Sequence, residues 1–203
     1  MKQIALALGL TLLSISSGFS QGYKVGDKAM DFKLKNTDGK LVSLSNYPGA
    51  KGFIVIFTCN HCPYAQAYQD RIIALDKKYK LSGYPVIAIN SNDPSIVPED
   101  SYENMKLRSK EKGFTFPYLF DETQEVYKVY GAMKTPHVYL LQKSGNEFLV
   151  KYIGAIDDNY EDATKVSTPY LANALEALLA GRMPDPSFTK AIGCSIKDKS
   201  VAK

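Results

Sequence analysis

Cys59 and Cys62 stand three positions apart in "FTCNHCPY", residues 57–64, with His61 between them and Pro63 directly behind. A thiolate is both a nucleophile and a soft metal ligand, so this pair has four chemical uses: disulfide exchange, peroxide reduction, metal binding or a structural bridge. A bridge between residues this close closes a very short loop and restrains the unfolded chain little, which makes a staple the weakest use. A copper or zinc centre would draw on Cys59, Cys62 and His61 or His137. The chain has only two histidines and no second CxxC, so ligands run short. The third cysteine, Cys194, sits in "AIGCSIK" near the end. It is either a free buried thiol or the partner of Cys59 or Cys62 in a second-stage disulfide.

The elements that must position these residues are legible from pattern. "GFIVIFT", residues 52–58, is a continuous apolar run of strand length that leads straight into Cys59. Beyond Cys62 the apolar spacing turns helical through Ala65, Tyr68, Ile72, Leu75 and Tyr79, and Ser82-Gly83 stops it. A buried strand follows at 85–90, then a helix over 100–112 that stops at Gly113, a short strand at 118–120 and a short helix over 123–130. Two more strands, 136–142 and 147–153, flank a turn at 144–146. A last helix runs over 169–180, and the chain is loop-like after Pro184 and frayed from Lys197. Ahead of all this, Asp38-Gly39 marks a hairpin within 32–44. The order predicts one mixed α/β domain, with the dithiol at the carboxyl end of a central strand, where open sheets build their sites.

The chain has 203 residues, 45% of them hydrophobic and 23% charged, enough for one domain with a sizeable core. Its net charge of +4 is spread along the sequence and gives no basic patch for nucleic acid. Met1-Lys2-Gln3 followed by an apolar run from Ile4 to Leu13, with Gly18 and Ser20 behind it, predicts a secretory signal over residues 1–20. The mature product would be an exported protein, periplasmic or secreted and free of the membrane, with a domain over 21–184 and a C-terminal segment over 185–203. All three cysteines would then enter an oxidising compartment.

Taken together, "GFIVIFTCNHCPY", "PVIAIN", "KTPHVYLL" and "EFLVKYIG" resemble the thioredoxin superfamily. The opening "VGDKAMDFKLKNTDGKLVSLSNY" is similar to its peroxiredoxin-like branch, the alkyl hydroperoxide reductase/thiol-specific antioxidant group, with the likeness running from about Val25 to Gly154. The resemblance implies a thioredoxin-like fold: a central mixed sheet flanked by helices, with an N-terminal β-hairpin. It implies a cis bond at Thr135-Pro136 lying against the cysteines as a substrate-facing platform, with Cys59 as attacking and Cys62 as resolving thiol. His61 adds a cation, and the Cys-x-His-Cys order resembles strongly oxidising members. Relatives in this branch end in a similar Gly-Cys-Ser-Ile-Lys segment, which implies that Cys194 folds back on the domain.

The resemblance also marks departures. Peroxiredoxins carry threonine and proline three and seven positions before the residue that Cys62 matches, where this chain has Cys59 and Val55. The buried aspartate of thioredoxin, six positions before the first cysteine, is here Phe53, leaving Asp93 and Asp121 as substitutes by location. The expectation is therefore dithiol–disulfide exchange with protein thiols and a redox partner protein, without a cofactor or metal. Peroxidase activity and a copper-binding module of the same fold are the alternatives.

Overall fold

The protein is described by a computed structural model covering residues 22–199; the expected signal, 1–20, lies outside the described residues. Chain order gives β1 (Lys28–Ala29), β2 (Leu34–Asn36), β3 (Leu41–Val42), β4 (Gly52–Phe57), α1 (Pro63–Tyr79), β5 (Val86–Asn90), α2 (Tyr102–Lys112) and β6 (Tyr118–Phe120). It continues with α3 (Val126–Tyr130), β7 (Lys134–Thr135), β8 (His137–Ser144), β9 (Glu147–Gly154), α4 (Tyr170–Leu179) and β10 (Cys194–Ser195). Eight strands form one sheet in the order β1-β9-β8-β4-β5-β6-β2-β3, and β10 pairs with β7 apart from it. The helical crossovers α1 and α2 make β4, β5 and β6 parallel, whereas a tight turn makes β8 and β9 antiparallel.

All six residues of β4 are buried, because both faces of the sheet are covered. Ile54 and Ile56 face one apolar layer with Tyr68, Ile72 and Tyr79 of α1, Met105 of α2, and Leu171, Leu175 and Leu178 of α4. Phe53, Val55 and Phe57 face the other, with Tyr130 of α3, Phe32 and Leu44. Each such side chain stabilises the fold by about 1.5–3 kcal/mol, so the strand that delivers Cys59 is among the most rigid parts of the molecule. The predicted hairpin is present as β2 and β3 and extends the sheet beyond β6. Among the described residues no helix is long and apolar enough to cross a membrane.

Two expectations need correction. The helix read over 100–112 begins at Tyr102, because the Ser101 hydroxyl caps it by accepting from the Asn104 N–H. Asp100 falls outside the helix and turns toward the cysteines. The segment after Pro184 is loop-like as expected, apart from β10, but its end is docked on the domain and not frayed. Thr189 N–H donates to the Ile153 carbonyl at 3.0 Å, and β10 pairs with β7. Lys197 is not frayed: its N–H donates to Asn92 Oδ1 at 2.8 Å and its carbonyl accepts from Asp93. Two glycines permit this docking. A Cβ on Gly154 would lie 2.1 Å from Thr189 Oγ1, and one on Gly193 would lie 2.1 Å from the Thr135 carbonyl oxygen. The segment lacks apolar periodicity, so its backbone pairing leaves no pattern to read.

A buried ion pair fixes α1 to the loop after β9. Arg71 Nη1 lies 2.8 Å from Asp157 Oδ2 and also donates to the Asn159 carbonyl, while Tyr68 Oη donates to Asp157 Oδ1 at 2.8 Å. Removing the cation leaves a buried carboxylate without its counter-charge. Arg71→Met should destabilise the protein by about 3 kcal/mol, read as a lower urea midpoint with an unchanged slope.

Candidate active site

Thr58 extends the β4 ladder by donating its N–H to the Ile89 carbonyl at 2.8 Å, and Cys59 follows where the chain leaves the sheet. Pro63 then sets the geometry of the second cysteine. Proline fits the first helical position because its missing N–H would be unpaired there, and it bars the preceding residue from helical backbone. Cys62 accordingly has φ −67° and ψ 124° and is the N-cap of α1. Cys62 thus holds the cap, as the helical spacing beyond it predicts, and Cys59 precedes the helix. Cys59 is 1% exposed and Cys62 is fully buried.

The loop between the cysteines is held by Asp100, itself completely buried. Its Oδ1 accepts from the Asn60 N–H at 2.6 Å and the His61 N–H at 3.2 Å. Its Oδ2 accepts from Asn92 Nδ2 at 2.7 Å and lies 2.5 Å from His61 Nδ1. A carboxylate only accepts, so His61 carries its hydrogen on Nδ1 and directs it at Asp100 rather than at a sulfur. Asn60 is locked in turn: it donates to the Glu99 carbonyl and accepts from the buried Tyr118 hydroxyl at 3.0 Å.

The Thr135-Pro136 bond is cis and lies against both sulfurs. Thr135 Oγ1 is 3.2 Å from Cys59 Sγ, and the Cys62 thiol donates to the Thr135 carbonyl at 3.3 Å. The platform is not open at its edge, because β10 pairs there in a register that sets Cys194 opposite Thr135. Cys194 Sγ approaches Cys62 Sγ to 2.6 Å, and all three cysteines are free.

Charge divides unequally over these sulfurs. The Cys62 thiol is lowered to about 4, chiefly by the hydrogen bond it accepts from Cys59, with further support from Cys194 and the Ala65 N–H and against the opposing effect of burial. Cys59 is pushed far up by that same bond, then by burial and by the Asp100 charge, with the Thr135 hydroxyl opposing. Cys194 is raised to about 11, first by burial and then by Cys62. Of the three thiols Cys62 is thus the most readily ionised, giving up the proton that it otherwise donates to the Thr135 carbonyl.

The remaining sequence candidates fall elsewhere. His137 is buried on the opposite face of β8, accepts from the Met133 N–H at 3.3 Å, and is held neutral, its pKa lowered to about 4 by burial. Asp121 uses its carboxylate on Ser91 and on the N–H groups of Val126 and Tyr127, and Asp93 accepts from Ser95. Phe53 packs edge-on against Tyr47 and Phe148, so no acid replaces it beneath the pair. Asp100 was missed because nothing local marks it: Asp and Ser are equally good N-caps, and only the fold shows that Ser101 takes the cap and leaves Asp100 outside the helix. Cys59, His61 and Asp100 each bring a ligand atom within 4.8 Å of the others, a set that could seat a metal ion if the His61–Asp100 bond opened.

Residues 25–152 match the AhpC/TSA family. The thiol-disulfide oxidoreductase ResA of Halalkalibacterium halodurans is 25% identical over 82% of this chain and 90% of its own length. An uncharacterized conserved protein from Geobacillus kaustophilus shares 41% identity, covering 87% of this chain and 93% of its own, with a TM-score of 0.78. A thiol:disulfide interchange protein of the thioredoxin family from Chlorobium tepidum TLS is 20% identical, covers 65% of this chain and 87% of its own, and shares the fold at a TM-score of 0.53. With a thioredoxin-like sheet, a dithiol at the end of its central strand and a family match over most of that sheet, the chain is an oxidoreductase that belongs to the AhpC/TSA family.

Proposed function

We propose that this chain is an exported thiol–disulfide oxidoreductase that exchanges its Cys59–Cys62 dithiol and disulfide with protein thiols, and is returned to its working state by a redox partner protein. The observation that carries this reading is the buried sulfur pair where the chain passes from β4 to α1, with Thr135 against both sulfurs. The relatives named thiol-disulfide oxidoreductase, which the chain matches over most of its length, point the same way. Export to a periplasmic or extracellular space rests on the leader pattern of residues 1–20 and on the use of cysteine chemistry. Exchange passes electrons between sulfurs and needs no cofactor.

Stabilising one thiolate lowers the free energy of the reduced form relative to the disulfide, which makes the disulfide the stronger oxidant. The reduced site therefore favours an oxidising poise. Its Asp100–His61 clamp adds no charge of the right sign at Cys59, so the poise comes from Cys62. Peroxide reduction is disfavoured by Cys59 and Val55, which stand where peroxide-orienting threonine and proline would be.

Insulin reduction by the wild type should be abolished in both Cys59→Ser and Cys62→Ser, with no peroxide turnover in any of the three proteins. Peroxide turnover that survives Cys59→Ser and disappears in Cys62→Ser would overturn the exchange reading. The reduction potential should be more positive than that of thioredoxin, about −270 mV, when equilibrated against glutathione. Thiolate absorbance at 240 nm should titrate near pH 4 in the reduced protein, vanish in Cys62→Ser and shift upward in Cys59→Ala. Because this thiol is lowered from its ordinary 9.0, its stabilisation of the reduced fold is complete above pH 9 and is lost as the pH falls toward 4. The melting temperature of reduced relative to oxidised protein should fall over that window.

A further inference from the structure

The CxxC sulfurs are sealed from solvent, at 1% and 0% exposure, whereas Cys194 is only partly buried. Cys194 is nevertheless held against them by the tertiary fold. Its strand is registered opposite Thr135, the Ile196 N–H donates to the Met133 carbonyl, and Lys197 is bonded to Asn92, which also holds Asp100. Gly193 lets the segment approach the Thr135-Pro136 peptide closer than any side chain would allow. The resulting 2.6 Å between Cys62 and Cys194 sulfurs is about half an ångström beyond a covalent S–S bond of about 2.05 Å.

Building on the exchange reading above, we propose that Cys194 is a third redox cysteine, forming a disulfide with Cys62 and relaying exchange between the buried CxxC pair and a protein thiol outside. Starting from the Cys59–Cys62 disulfide, the Cys194 thiolate attacks Cys62 Sγ. The Cys62–Cys194 bond forms, the Cys59–Cys62 bond breaks, and the Cys59 sulfur takes up the proton Cys194 has given, with no net oxidation. A thiolate of the incoming protein then attacks Cys194 Sγ, the accessible sulfur, and Cys62 leaves. A second thiol of the same protein attacks the mixed disulfide and releases Cys194. The outside dithiol has been oxidised by two electrons, one of its protons stays on Cys194, and the other goes to solvent while Cys62 remains a thiolate. Run backward, the same steps reduce an outside disulfide. β10 on this view occupies, in cis, the edge the sequence reserves for substrate.

The test oxidises the full chain with glutathione disulfide, quenches it in acid and maps its disulfides by peptide mass spectrometry. Cys59→Ala should form a Cys62–Cys194 bridge, and Gly193→Ala, which leaves all three cysteines in place, should lose that bridge while keeping Cys59–Cys62. Cys194→Ala should slow insulin reduction on the order of tenfold or more and still form Cys59–Cys62. Free thiols or glutathione adducts at Cys62 and Cys194 in oxidised Cys59→Ala would overturn the third-cysteine role, as would an undiminished insulin rate in Cys194→Ala. In both cases wild-type insulin reduction leaves the exchange reading standing. A wild type that bridges Cys62 to Cys194 but exchanges with no protein disulfide overturns the exchange reading and the relay with it.

Discussion

The Asp100 carboxylate lies wholly out of water, and a charge at that depth is tolerable only when its lone pairs are met by donors. Here two backbone N–H groups, an amide and an imidazole supply them, drawn from segments as far apart in sequence as Asn60 and Asn92. The backbone of the loop between the cysteines is thus shaped by the demand of one buried acid. The segment from 91 to 100 follows the β5 strand and would otherwise be a simple connection to α2; satisfying Asp100 ties it over the dithiol. The charge of the same carboxylate also raises the Cys59 thiol, after the larger effects of the bond to Cys62 and of burial.

Cys62 is the more readily ionised of the pair, and Pro63 has already arranged a helix start there. Proline excludes helical backbone at the residue before it, so the second cysteine becomes a cap, facing the unpaired N–H groups of the first turn. Thr135 serves both sulfurs, through its hydroxyl to Cys59 and its carbonyl to Cys62, which is a reason for the Thr-Pro pair to lie where it does.

The C-terminal segment alters how this centre meets its surroundings. In a bare dithiol site the backbone beside the cis-proline is an unpaired edge, and unpaired edges invite extended chains. In this molecule β10 takes that edge, buries the pair further and brings a third sulfur to it. The two close approaches at Gly154 and Gly193 hold the segment at points where any side chain would collide with backbone or threonine.

Local pattern was sufficient for the buried strand 52–58, the helix behind Pro63, the hairpin at Asp38-Gly39 and the α/β order, because apolar period and turn residues report on burial and backbone angles within a few positions. The pairing of Thr-Pro with CxxC, and with it the family, was legible because those residue types are chemically specific. What the sequence by itself determined is therefore the kind of chemistry, a dithiol at the end of a central strand, and the scaffold that carries it. Only the tertiary structure decided that Asp100 rather than Asp93 or Asp121 serves the site, and that Cys194 closes on Cys62. Those outcomes depend on hydrogen bonds and approaches between segments 40 to 130 residues apart, where burial and distance set the energies and no local period records them.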